Sequence, residues 1–241
     1  MCGLEKSSSR RDFLCKVIAL VPTVSLVAYL PFSALRTTSA QVYANSPTQA
    51  YSPKYFSPEE WVFLQAACAR LIPADENGPG ALELGVPEFI DREMEGAFGH
   101  AATWYMQGPF TSAVPELGYQ SPLTPRAVYR AGIAAVDAHC RKMFRNKSFS
   151  ELPTPQQDAV LTDLEKGTLA FDNVSGKSFF GFMLQNTREG YLADPIHGGN
   201  KNMGSWKMIG FPGARADFID WVGQYGVHYP LSPVGLTGRK G

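Results

Sequence analysis

The sequence predicts a single all-α domain whose helices are joined by long Gly- and Pro-rich loops. Three observations predict it. Helix starts of one design recur along the chain, with Ser or Thr placed directly before Pro. Apolar residues then follow at spacings of three and four, the period of one helical face. No stretch shows the strict alternation of a half-buried strand.

Residues 1–44 come first and read as an export leader. Lys6, Arg10, Arg11 and Lys16 make a positive start, and Val17 to Leu35 is mostly apolar. That run of 19 residues is near the lower limit for spanning a bilayer, and Pro22 and Pro31 interrupt it. Ser9-Arg10-Arg11-Asp12-Phe13-Leu14-Cys15-Lys16 resembles the twin-arginine signature S-R-R-x-F-L-x-K at every defined position, with Arg10, Arg11, Phe13 and Leu14 as its core. Two small-residue cleavage sites follow, after Ala40 and after Ala44. The sequence leaves open which is used, or whether the leader is kept as an anchor. Residues 45–56 are polar and proline-bearing and read as a linker.

The helical domain is expected over residues 57–241. Ser57-Pro58-Glu59-Glu60 is a capping box, and Trp61, Leu64, Cys68 and Leu71 form the apolar face behind it. Pro73 disfavours helix before it, so this helix ends near Ile72. Pro87 opens PEFIDREMEGAF, with Phe89, Ile90, Met94 and Phe98 inward. Thr124-Pro125 opens a long helix whose stripe is Val128, Ile133, Val136, Cys140, Met143 and Phe144. Thr154-Pro155 opens another, with Val160, Leu161 and Leu164 inward and a stop at Gly167. SGKSFFGFMLQNTREG offers Phe179, Phe182 and Met183 and stops at Gly190, and a short helix is expected from Arg215 to Val222.

The whole chain is formally neutral. Residues 1–44 hold five basic and two acidic residues, so the remainder carries 17 basic against 20 acidic, a net of −3. That argues against a nucleic-acid partner. Cys2 and Cys15 fall in the leader, leaving Cys68 and Cys140. An even count in an oxidising compartment suggests a disulfide, closing a loop of roughly 70 residues and adding about 4 kcal/mol on the chain-entropy account. Two buried thiols on separate helices are the other reading.

Sequence patterns for a resident cofactor are missing. No G-x-G-x-x-G follows a strand, no C-x-x-C-H is present, and two cysteines fall short of a four-thiolate iron–sulfur set. His100, His139, His197 and His228 form neither H-x-x-x-H nor H-E-x-x-H, and no G-x-S-x-G occurs. The densest feature is Tyr191 to Asn200, continuing to Trp206 and the Gly210-Phe211-Pro212-Gly213 turn. It has three readings. His197 is a base oriented by Asp194. Or Asp194, His197, Gly198, Gly199, Asn200, Trp206 and Phe211 build a turn-rich loop that anchors a protein partner. Or the aromatics close the domain's own core.

At this loop the sequence resembles the gluconate 2-dehydrogenase subunit 3 family. Leu71-Ile72-Pro73-Ala74-Asp75 with Gly78-Pro79-Gly80-Ala81 is similar to that family's L-I-P-x-D…G-A segment. Gly85 to Asp91 matches its next stretch, and Thr187 to Gly213 its C-terminal signature, the G-G-N…W…G-x-P-G pattern being most specific. The likeness implies a small, non-catalytic subunit without cofactor. Its partners would be a large FAD-containing flavoprotein of the glucose–methanol–choline oxidoreductase type and a multihaem cytochrome c. The leader would recruit the twin-arginine translocation machinery for the folded pair, placing the complex in the periplasm at the outer face of the inner membrane. A free-standing periplasmic enzyme using Asp194 and His197, with or without a metal, and an export chaperone released after transport are the alternatives. The substrate, on the leading reading, binds another subunit.

Overall fold

A computed structural model describes residues 51–111 and 114–241, and the expected leader and residues 45–50 of the expected linker lie outside these. Among the described residues there are six α-helices and no strands beyond isolated bridges. They are α1 (Pro58–Leu71), α2 (Val86–Glu95), α3 (Pro125–Met143), α4 (Thr154–Lys166), α5 (Gly176–Leu192) and α6 (Gly204–Ile209). The all-α expectation holds. Helix α5 is central, touching α2, α3, α4 and α1.

Local chemistry explains the boundaries. At α1 the capping box is made: Glu60 N–H donates to Ser57 Oγ, and Ser57 N–H donates to Glu60 Oε2. Helix α4 stops at Gly167 with φ of 70°, the left-handed cap glycine tolerates best. Helix α2 ends at Gly96, short of Phe98. Helix α5 runs through Gly190 to Leu192, past its expected stop. Gly190 lies inside the helix, and a Cβ there would lie 2.7 Å from the Phe89 ring, so its bareness serves packing. The expected helix near Arg215 is a 3₁₀ segment, Ala216–Trp221, and the short α6 was not foreseen from the pattern.

The core forms where α1, α2, α3, α4 and α5 meet. Tyr129, Phe63, Phe149, Phe179, Leu64, Ile90 and Met94 are fully buried in it. Phe63 and Phe149 sit 4.8 Å apart, and Tyr129 meets Phe179 edge-on at 5.8 Å, geometries that aromatic pairs favour. Gly132 lets α3 and α5 close, since a Cβ would stand 2.3 Å from Phe179. Met143, expected inward, is 60% exposed in the last turn of α3.

The expected Cys68–Cys140 bridge is not formed. Both are free, buried thiols on separate helices, α1 and α3. Cys68 is committed elsewhere, with its Sγ 3.7 Å from Thr187 Oγ1 on α5. Burial pushes the Cys68 thiol up to about 12 and the Cys140 thiol to about 11.

Residues 51–56 are strapped to the body by one carboxylate. Asp91, fully buried on α2, accepts from the backbone N–H groups of Lys54, Tyr55 and Phe56 at 2.7, 3.0 and 3.0 Å, and from Tyr51 Oη–H at 2.7 Å. Four donors from one segment satisfy an anion that would otherwise be costly to bury. The Tyr55 ring lies under the guanidinium groups of Arg126 and Arg130, each 4.6 Å from its centre.

Candidate functional site

Three glycine-rich loops converge at one end of the helices: residues 72–85 after α1, 193–203 after α5, and 210–241 after α6. They are joined by specific bonds. Tyr191 Oη–H donates to Pro79 O at 2.8 Å, and Lys201 N–H donates to Leu84 O at 3.0 Å. Lys201 Nζ sits 2.6 Å from Glu88 Oε2, and Arg92 pairs with the same carboxylate. Glu88 therefore holds two cations, one from its own helix and one from the loop.

The turn at Gly198-Gly199-Asn200 is built from the inside. Gly198 adopts φ of 99°, where an L side chain is strained, and lies against Arg92. Gly199 packs backbone to backbone on α5: a Cβ there would be 2.1 Å from Gly190 O. Asn200 is fully buried in a left-handed conformation. Its Nδ2 donates to Ala193 O at 2.9 Å, and its Oδ1 accepts from Ser205 N–H and Oγ–H at 3.1 and 2.8 Å. Asn200, Asn202 and Met203 all carry positive φ, an arrangement that holds only when the surroundings enforce it. The Asn200 bonds are that enforcement.

Trp206 is buried too. Its Nε1–H donates to Leu192 O at 2.8 Å, closing the last turn of α5, and its ring meets Phe211 edge-on at 5.1 Å. Of the seven loop residues singled out in the sequence, Gly198, Gly199, Asn200 and Trp206 thus shape the loop. His197 and Phe211 face outward, Phe211 at 46% exposure. Leu192, Ile196 and Ile209 are exposed beside them in the chain.

The acid–base reading is not assembled. Both Asp194 oxygens are taken by backbone amides, Oδ1 by Ile196 N–H at 3.0 Å and Oδ2 by Leu236 N–H at 2.7 Å. His197 N–H donates to Asp194 O at 3.0 Å within the turn, but among the described residues no hydrogen bond joins the Asp194 carboxylate to the His197 imidazole. The partly buried Glu93 carboxyl is held above its ordinary value by burial, with Glu189 raising it further and His197 drawing it down. Among the described residues no group of three His, Cys, Asp or Glu side chains could hold a metal ion, and no helix is long and apolar enough to cross a membrane.

A second feature is an aromatic cluster on α5 and the loop before α3. Phe182 stacks with Trp104 and meets Tyr119 and Phe98 edge-on. An open depression of about 550 Å³ lies over it, lined by Trp104, Tyr105, Phe110, Leu117 and Tyr119 among others. Its described lining is aromatic, aliphatic and amide, which suits a contact surface.

Sequence reasoning passed over Asp91, Glu88 and Lys201. For Asp91 a signal existed: it stands three residues before Met94, within the apolar register of α2, where a charge demands a partner.

Compared with known proteins, residues 58–213 match the family model described as gluconate 2-dehydrogenase subunit 3. No curated protein and no solved structure matched the chain.

Proposed function

From the premise that this chain belongs to the gluconate 2-dehydrogenase subunit 3 family, we propose that it is the non-catalytic small subunit of an FAD-dependent sugar or sugar-acid dehydrogenase complex. It binds the large flavoprotein through its loop end. A multihaem cytochrome c completes the complex and carries electrons onward. The twin-arginine leader exports the folded flavoprotein together with this chain, and the complex works in the periplasm at the outer face of the inner membrane.

One observation carries this reading: the loop end spends four of its polar groups on its own construction while leaving large apolar side chains outward. Asp194, Asn200, Ser205 and the Trp206 indole N–H are all satisfied internally. Ile196, Ile209 and Phe211 are left exposed. A surface of that kind suits a protein contact, in which aromatic and aliphatic anchors dominate affinity. The free-standing enzyme loses its support, because the Asp194 carboxylate is spent on the backbone amides of Ile196 and Leu236 and not on the His197 imidazole.

The test is a pulldown of tagged chain from periplasmic and membrane fractions, with an absorption spectrum of the eluate. The expected result is a large copurifying protein with flavin bands, accompanied by a c-type haem signature. A colourless single band in both fractions would refute the subunit assignment. Phe211→Ser should lower the yield of flavoprotein at a stability cost of only about 1 kcal/mol, the worth of its edge-on contact with Trp206.

A further inference from the structure

The chain does not stop where the family match ends. Residues 214–233 leave the body just after Gly213 and return to it at Val234. The two ends are pinned together. Ala214 N–H donates to Val234 O at 2.7 Å, Val234 N–H donates to Pro212 O at 3.1 Å, and Arg215 Nε–H donates to Ser232 O at 2.8 Å. The base is seated on the loop end, since a Cβ on Gly213 would lie 2.3 Å from Val234 O and 2.8 Å from the Trp206 ring.

Between its pinned ends the excursion has an interior of its own. Tyr229 meets Phe218 and Trp221 edge-on at 5.2 and 5.5 Å, and its hydroxyl donates to Asp217 Oδ2 at 2.8 Å. Arg215 lies 5.9 Å from the same ring. A surface loop with ends held close and packed by its own side chains is frequently functional. While these aromatics turn inward, other apolar residues turn out: Ile219 at 75% exposure, Val222 at 63% and Tyr225 at 94%, with Val227 also exposed. The domain's core contains none of them.

Resting on the subunit reading above, we infer that residues 214–233 are a second, preformed contact element for the same large flavoprotein. Two facts select that occupant over a second copy of this chain. The excursion exposes Ile219, Val222, Tyr225, Val227 and Leu231 as its large apolar side chains, far short of the roughly 20–30 residues a side that a stable interface uses. Alone they are too small to hold a dimer, so they act as an extension of a larger contact. The base also packs on Trp206, whose ring touches Phe211. The excursion is therefore continuous with the loop end already assigned to the flavoprotein. Its ends are tied and its interior packed, so little freedom is lost on docking.

The experiment uses the full chain and the FAD-loaded large protein that copurifies with it, separated and recombined on a biosensor. The double variant V222S/Y225S alters only exposed positions, and an unchanged melting temperature confirms its fold. The expected result is a loss of affinity of at least about tenfold, mostly as faster dissociation. If the double variant binds like wild type while Phe211→Ser weakens binding, the excursion is no contact element and the subunit reading survives. If wild-type chain binds no flavoprotein, both fall. If sedimentation shows a wild-type dimer that V222S/Y225S abolishes, the occupant is a second copy and the inference is overturned.

Discussion

Replacing Asp91 by Ala tests the strap that joins residues 51–56 to the helices. The substitution removes the acceptor for three backbone N–H groups and one phenol. Two responses bound the cost. If the segment stays seated, three amides lose their partner, at about 1 kcal/mol or more each. If it peels into water, the amides are hydrated but Phe56, 4% exposed, comes out of the core, losing roughly 2–3 kcal/mol. Relief from burying a charge offsets part of either route. The expected loss is therefore about 3 kcal/mol, a fall in melting temperature of roughly 6–12 °C for a domain this size. Urea titration of the purified chain, followed by circular dichroism, measures the first quantity. Hydrogen exchange at Lys54, Tyr55 and Phe56 reports the strap directly. Asp91→Ala costing under about 1 kcal/mol, with those amides still protected, would refute the reasoning.

Gly199→Ala drives a methyl into the Gly190 carbonyl, a backbone neighbour that cannot rotate away. It should cost toward the upper end of the roughly 1–3 kcal/mol of overpacking, read by thermal denaturation. Trp206→Phe removes the bond to Leu192 O and should destabilise by about 1–2 kcal/mol while leaving the helical circular-dichroism signal intact. Cys68 and Cys140 should resist a thiol reagent in the native protein and react in denaturant, since burial keeps both protonated. The sign of the pH effect follows: their folded values, about 12 and 11, exceed the unfolded value near 9. Their contribution is complete below pH 9 and is lost as pH rises from 9 toward 12, so urea midpoints should fall across that window. A flat midpoint there would count against the buried thiols.

Helix starts were the most legible part of the sequence, because capping is local. Ser57 and Glu60 lie three residues apart and need nothing else to announce α1. Helix ends read worse where a glycine served two purposes. Gly167 stops α4 through its own backbone, whereas Gly190 is a seat for Phe89 and lets α5 continue. Only the tertiary neighbour separates the two. The loop end was visible as a cluster, but the inward role of Asn200 and Trp206 against the outward role of Phe211 depends on bonds to Ala193 and Leu192, which no spacing rule supplies. Glu88 was hidden for the same reason, since Lys201 reaches it from more than 100 residues away. The cysteine pair misled because an even count says nothing of distance, and Cys68 had Thr187 for company.

The backbone contact between Gly199 and Gly190 has a calorimetric consequence. It ties the turn to the last turn of α5, the central helix, so the turn has no separate melting event and no ordering left to do when a partner arrives. Association through this surface should show a heat-capacity change that scales with the area covered alone, without the added increment of coupled folding. Its enthalpy should be insensitive to osmolytes that compact loose chains. A binding isotherm with an excess heat-capacity term would mean that some other part of the molecule orders on contact.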